Sequence, residues 1–171
     1  MKQELDILDY RILQQLHTDS RKSASEIARI VGANERTVRK RIDRLVNVGA
    51  VRMAAIINPT AFGYVNTVDI FLEVDPEREQ QIIERLITMQ EVSYVAFGQG
   101  TNDLSIEGRF KDNAEMHDFL RRTLPEIPGV KVSGYALVPR IMRNIDEWMP
   151  RSEDFANYTG EEPEDHEEEA H

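Results

Sequence analysis

Apolar positions recur along this chain with a period that changes partway, and the change divides it into two kinds of structure. Leu5, Leu8, Ile12 and Leu16 fall three and four apart, with Leu13 widening the stripe, which predicts an amphipathic helix over about 5–17. Ser23-Ala24-Ser25-Glu26 has the S-x-x-E form of a capping box, where hydroxyl and carboxylate each satisfy an orphan amide, so a second helix starts there. Ile27, Ala28 and Val31 are its inward positions, and Gly32 permits a sharp exit. Asn34 suits the N-cap of a third helix, from Glu35 to about Val48, with Val38, Ile42 and Leu45 as its stripe and Gly49 at its end.

Beyond Gly49 the pattern becomes β-rich. AVRMAAIIN, stopped by Asn58-Pro59, predicts a strand that would add a wing to the three helices. Tyr64–Val74 reads as a further strand. Asp75-Pro76 signals a helix with Pro in its first turn, carried to about Gln90 by Ile82, Ile83, Leu86 and Ile87. Strands over Val92–Phe97 and Asp103–Phe110 flank the turn Gly98-Gln99-Gly100-Thr101. A helix over 112–124 uses Met116, Phe119, Leu120 and Leu124, Pro125 to Gly129 breaks it, and Val130–Val138 is the last strand. The order β-α-β-β-α-β predicts a ferredoxin-like antiparallel sheet with helices on one face. The expected class is therefore α+β: a winged helix-turn-helix domain over 1–60, a ferredoxin-like domain over 61–145, and a tail over 146–171.

Composition changes this picture in one respect. The 171 residues include no cysteine, which excludes disulfide frameworks, thiolate zinc sites and cysteine nucleophiles, and no cofactor or metal is called for. No apolar run approaches the roughly 18 residues of a membrane span, and MKQELDILDY carries acids where a secretory leader would be basic and then apolar. A cytoplasmic protein without a membrane partner is expected. The formal charge of −10 argues against nucleic acid, but its distribution reverses that. Residues 1–60 hold eleven basic and seven acidic side chains (net +4), residues 61–145 are net −4, and residues 146–171 are net −10. The tail, with EEPEDHEEE and almost nothing to bury, is expected to be disordered from about Arg151.

Two helices joined by a tight glycine turn, the second bearing an outward row of cations, form a helix-turn-helix. Its second helix must lie in the major groove, so its free face needs donors for phosphates and base edges. Arg36, Arg39 and Lys40 supply these, Thr37 lies beside them, and Arg41 and Arg44 would flank the groove face. Asn34 or Glu35 could read adenine or cytosine, while Arg21, Lys22 and Arg52 at the edges suit backbone contacts. The expected partner is double-stranded DNA.

The segment LDILDYRILQQLHTDSRKSASEIARIVGANERTVRKRIDRLVNVGAV resembles the DNA-binding domain of the Lrp/AsnC (feast/famine) transcription regulators. The matching residues are Asp6 and Asp9, Ile12-Leu13, Leu16, Arg21, Ala28, Val31-Gly32, Thr37-Val38, Arg41-Ile42, Leu45 and Gly49. GTNDL at 100–104 is similar to the family's G-x-y-D turn, and IPGV at 127–130 to its turn into the last strand of the family's RAM-type domain, so the resemblance covers about 5–140. It implies a homodimer built through the α+β domain, often assembled into an octamer. It also implies a small effector, commonly an amino acid, bound between dimers. Carried over by position, that site would involve Gly98, Gly100, Thr101, Asn102 and Asp103, facing Ser133 and Tyr135. The chemistry agrees in part, since a glycine-rich turn can offer amides to a carboxylate and Asp103 can receive an ammonium. Asn102 and Tyr135 depart from the family's usual aromatic and small hydroxyl residues, and Asn34 replaces its usual Ser cap.

Two other readings compete. Some relatives of the fold are sirohaem decarboxylases, which need a histidine in the α+β domain; this chain offers only His117 there. A nonspecific architectural protein would bind DNA through phosphates alone. No nucleophile triad, P-loop or metal-spaced cluster supports an enzyme.

Overall fold

The computed structural model describes residues 4–98 and 103–160, which fall into two units, Met1–Ala55 with Arg143–His171, and Ile56–Met142. In the first unit, α1 (Ile7–Thr18) begins at Asp6, whose carboxylate accepts from the Leu8 and Asp9 amides while Asp9 returns a bond to the Asp6 amide. α2 (Ala24–Val31) starts at the predicted Ser23–Glu26 capping box and ends at Gly32, whose φ of 67° gives the left-handed turn that a side chain would strain. α3 (Glu35–Asn47) is capped by Asn34, whose side chain accepts from the Arg36 amide. Ile12, Leu16, Ile27, Ala28, Val38 and Leu45 close the core between the three helices. Burying six such side chains stabilises the bundle by about 1.5–3 kcal/mol for each of the larger ones.

Two expectations fail in this unit. The segment 50–58 predicted as a wing strand pairs with no strand among the described residues, and Met53, Ile56 and Ile57 are exposed along it. Its β-branched residues favour a strand, yet a strand needs a ladder partner, and none of the described residues supplies one. The tail is not disordered from Arg151. A short turn at Ser152–Asp154 leads into Phe155, which is buried in the helical core, and Ala156 bridges to Asp6. Charge density alone hid the few apolar residues, Met149 and Phe155, that make this docking favourable.

The second unit has the expected topology. β1 (Asn66–Val74), α4 (Glu79–Leu86), β2 (Val92–Phe97), β3 (Leu104–Phe110), α5 (Asn113–Asp118) and β4 (Val130–Leu137) follow in sequence. The antiparallel sheet is ordered β2-β3-β1-β4, which places β1 and β3 at its centre. Val68, Ile70, Leu72 and Val74 of β1 alternate with residues of the opposite face and pack, with Leu104, Ile106 and Phe110, against Ile82, Leu86, Met116, Phe119 and Leu120. α4 begins later than predicted, because Asp75-Pro76 makes a turn in which Asp75 accepts from the Glu77 amide. α5 continues into a π-helical turn, Phe119–Thr123, closed by the Leu124 amide on the Phe119 carbonyl at 2.9 Å. A bulge at Phe71/Leu72 leaves Ser133 as the extra residue on β4.

Candidate nucleic-acid interface and effector region

The three-turn length of α3 sorts its side chains into two faces. Val38 and Leu45 point inward and are fully buried, so Arg36, Arg39, Lys40 and Asp43 lie on the opposite, exposed face, and Glu35 and Thr37 are exposed beside them. Arg39 donates to the Glu35 carboxylate at 2.7 Å, one helical turn away, with both side chains largely in water. Such a pair is weak and exchanges readily for a phosphate. Arg21, almost wholly exposed, donates to Asp19 at 3.2 Å, and half-buried Lys22 donates to Gln15 at 2.8 Å. Arg52 is exposed on the segment after α3.

Arg41 and Arg44 are directed elsewhere. Both turn toward the start of α1, where Arg41 donates to Asp6 at 2.6 Å and to Asp9 at 3.0 Å, and Arg44 donates to Asp9. Asp9 has no solvent exposure at all, so its charge is stabilised only by these partners and the Asp6 amide. At Asp6, burial pushes the carboxyl pKa upward, but the bonds from Arg41, the Asp9 amide and the Leu8 amide outweigh it and hold the group below its ordinary value. The same bond, donated to Asp6, raises the Arg41 guanidinium further, so it stays charged. Two of the eleven residues read as DNA contacts are therefore engaged in tying α3 to α1. The helical wheel carried the signal, since Arg41 lies only about 40° from Leu45 at 100° per residue.

The effector residues are only partly described. Gly100, Thr101 and Asn102 lie outside the described residues. Gly98 and Asp103 meet at the β2–β3 connection, where the Gly98 amide donates to the Asp103 carbonyl at 2.9 Å. The Asp103 carboxylate accepts from the Val74 amide at 2.8 Å, which fixes the turn to the end of β1. Ser133 donates to the Phe71 carbonyl at 3.0 Å from the β4 bulge, and Tyr135 stands opposite Ile70 with half its surface exposed. β1 runs between the two groups, so Asp103 is separated from Ser133 by about two strand spacings of 4.8 Å. Two concavities of the α+β unit, of about 350 Å³ beside Arg78, Ile82 and Arg85 and about 270 Å³ beside Tyr64, Arg109 and Lys111, involve none of them. His117 is exposed on α5, and among the described residues no three metal-ligating side chains gather.

A capped helix pair presenting cations, carried on the same chain as a four-stranded sheet backed by helices, has the build of a two-domain DNA-binding regulator. The AsnC-type helix-turn-helix domain matches residues 5–46, and the Lrp/AsnC ligand binding domain matches residues 67–139. The chain belongs to the Lrp/AsnC family. It is a transcription regulator of that type, with a helix-turn-helix DNA-binding domain and a ligand-binding domain. An uncharacterised HTH-type transcriptional regulator of Pyrococcus furiosus is 35% identical to it over 140 residues, covering 81% of this chain and 95% of the relative. The HTH-type transcriptional regulator FL11 of Pyrococcus abyssi is 32% identical over 132 residues, 77% of this chain and 87% of its own. The fold is shared with E. coli AsnC at a TM-score of 0.77 and 21% identity, covering 84% of this chain and 99% of that one. It is shared also with the Neisseria meningitidis regulator NMB0573, solved as an L-Met complex, at a TM-score of 0.76 and 22% identity, covering 82% and 93%. No helix among the described residues is long and apolar enough to cross a membrane.

Proposed function

We propose that the protein is a cytoplasmic, non-enzymatic regulator that binds particular DNA sequences through α3 and responds to a small effector such as an amino acid. The observation that carries this reading is the exposed row Arg36, Arg39 and Lys40 behind a capped tight turn, with α3 anchored to α1 through Arg41 and Arg44. Arg36, Arg39 and Lys40 contact phosphates and base edges, Asn34, Glu35 and Thr37 lie at the groove end of the helix, and Arg21, Lys22 and Arg52 take backbone contacts. The protein acts as a homodimer, assembling further toward an octamer. The sheet face opposite α4 and α5 supports this, because Phe71 and the largely exposed Tyr94 lie there beside Arg109, which donates to Glu107, Ser93 and Thr67. The effector sits at the Gly98–Asp103 turn of one dimer, against Ser133 and Tyr135. The L-Met complex of the structurally similar Neisseria regulator favours an amino acid.

Fluorescence anisotropy against the protein's own promoter and a scrambled duplex tests the reading. At physiological salt the promoter is expected to bind at least about a hundredfold tighter. Arg39→Ala should weaken promoter binding by about 1–3 kcal/mol, relaxing discrimination as well as affinity. Equal affinity for both duplexes would reduce the protein to a nonspecific binder. Candidate amino acids added to the same titration would reveal the effector as a shift in promoter affinity.

A further inference from the structure

The chain beyond the matched ligand-binding domain returns to the helical unit. There the Phe155 ring meets Tyr10 at 5.1 Å between centroids and is buried in the α1–α2–α3 core. The Ala156 amide donates to the Leu5 carbonyl at 2.8 Å, and the Ile7 amide donates to the Ala156 carbonyl at 3.0 Å, fixing the segment as a parallel bridge against the start of α1. The same end of α1 holds Asp6 and Asp9, the residues that receive Arg41 and Arg44 of α3. The docked segment is therefore fixed to the same end of α1 to which α3 is tied.

That stretch is unlike any other part of the sequence. Residues 161–171 carry seven carboxylates and no lysine or arginine. Fifteen residues beyond Ala156 can extend to about 50 Å, and a 13-residue helix such as α3 is about 20 Å long. Reach is no obstacle. The exposed face of α3 offers Arg36, Arg39 and Lys40, with the Arg39–Glu35 bond lying in water. Carboxylates and phosphates make the same charge-assisted bonds to guanidinium and ammonium groups. A short tether raises the local concentration of a weak ligand to the millimolar range.

We propose that the acidic run 161–171, delivered by the docked Met149–Ala156 segment, occupies the cation face of α3 as an intramolecular competitor of DNA phosphate. The competition acts on phosphate contacts, which every duplex offers. Base-edge contacts, which only the operator adds, are untouched. The acidic run thereby raises discrimination by suppressing nonspecific binding. This rests on α3 being the DNA-reading helix.

The test compares three proteins: the full chain, a chain ending at Gly160 that keeps the docked segment, and a full-length chain with all seven carboxylates of the run changed to amides. Without DNA and at low salt, the backbone amide resonances of Arg36, Arg39 and Lys40 are expected to move in both altered chains relative to the full chain. With a scrambled duplex at about 50 mM salt, both should bind about three- to tenfold tighter than the full chain, the gain shrinking as added salt shortens the screening length. Unmoved α3 resonances would overturn the contact. Moved resonances with unchanged duplex affinity would overturn the competition, leaving the DNA-binding reading intact. Tighter binding by the truncated chain but not by the neutralised one would also overturn it, since bulk and not charge would then be responsible. If none of the three binds any duplex, the DNA-reading assignment of α3 itself fails, and the competitor role with it.

Discussion

Two guanidinium groups from α3 end on the carboxylate of Asp9, a residue with no exposure to solvent. Its partner Asp6 takes part in the same cluster and also caps α1, so one carboxylate satisfies helix amides and a neighbouring helix together. Because the Asp6 pKa is held below its ordinary value of 3.8, folding contributes stability above about pH 4 that is lost as pH falls through the lower folded value. Urea unfolding of the helical unit should therefore show a decline below pH 4. Asp6→Asn should flatten that decline and lower stability at pH 7. An unchanged pH profile in Asp6→Asn would show that another carboxylate carries the acid sensitivity. At this scale the sequence showed which arginines were on α3, but which of them faced inward depended on where α1 placed its acids.

Among the elements, the turns that position the site were the most legible. Ser23–Glu26, Gly32 and Asn34 were readable because capping and left-handed turns depend on residues within one turn of each other. The wing strand and the start of α4 were not, because each depends on what lies alongside. Two glycines separate local from tertiary constraint. Gly32 has φ 67° and open space where a Cβ would stand. Gly129 has φ 87°, and a Cβ there would lie 2.9 Å from the Asp75 Cβ, while the Gly129 carbonyl accepts from the Asp75 amide. Gly32→Ala should cost about 1 kcal/mol from backbone strain alone, and Gly129→Ala about 2–3 kcal/mol because strain and clash combine. Urea titration of each variant checks this, and equal losses would show that the Asp75 turn yields to the added methyl.

At the scale of the molecule, the chain leaves the helical unit, builds the sheet unit, and comes back. The return makes Phe155 part of a core whose other members lie at the opposite end of the sequence. Phe155→Ala should lower the stability of the helical unit by about 3 kcal/mol, the low end for a buried phenylalanine. The sheet unit shares none of that core and should keep its stability. Differential scanning calorimetry, with each unit's transition assigned by expressing the helical or sheet probe separately labelled, should show only one transition moving. Movement of both, or of neither, would contradict the docking.

The sequence by itself determined the three helices, the order of the four strands, the cation row and the family, since each is written in spacing, capping and turn chemistry over a few residues. Tertiary structure alone decided three things. Arg41 and Arg44 became anchors because the acids of α1 lie opposite them. The residues after Gly49 joined no strand among the described residues because a strand is completed by a neighbour and not by propensity. Met149 and Phe155, two apolar residues amid acids, docked because a core built from residues 12–45, at the other end of the sequence, had a face to receive them. Local chemistry fixes elements, but burial and charge pairing depend on partners distant along the chain, and no window of sequence contains both.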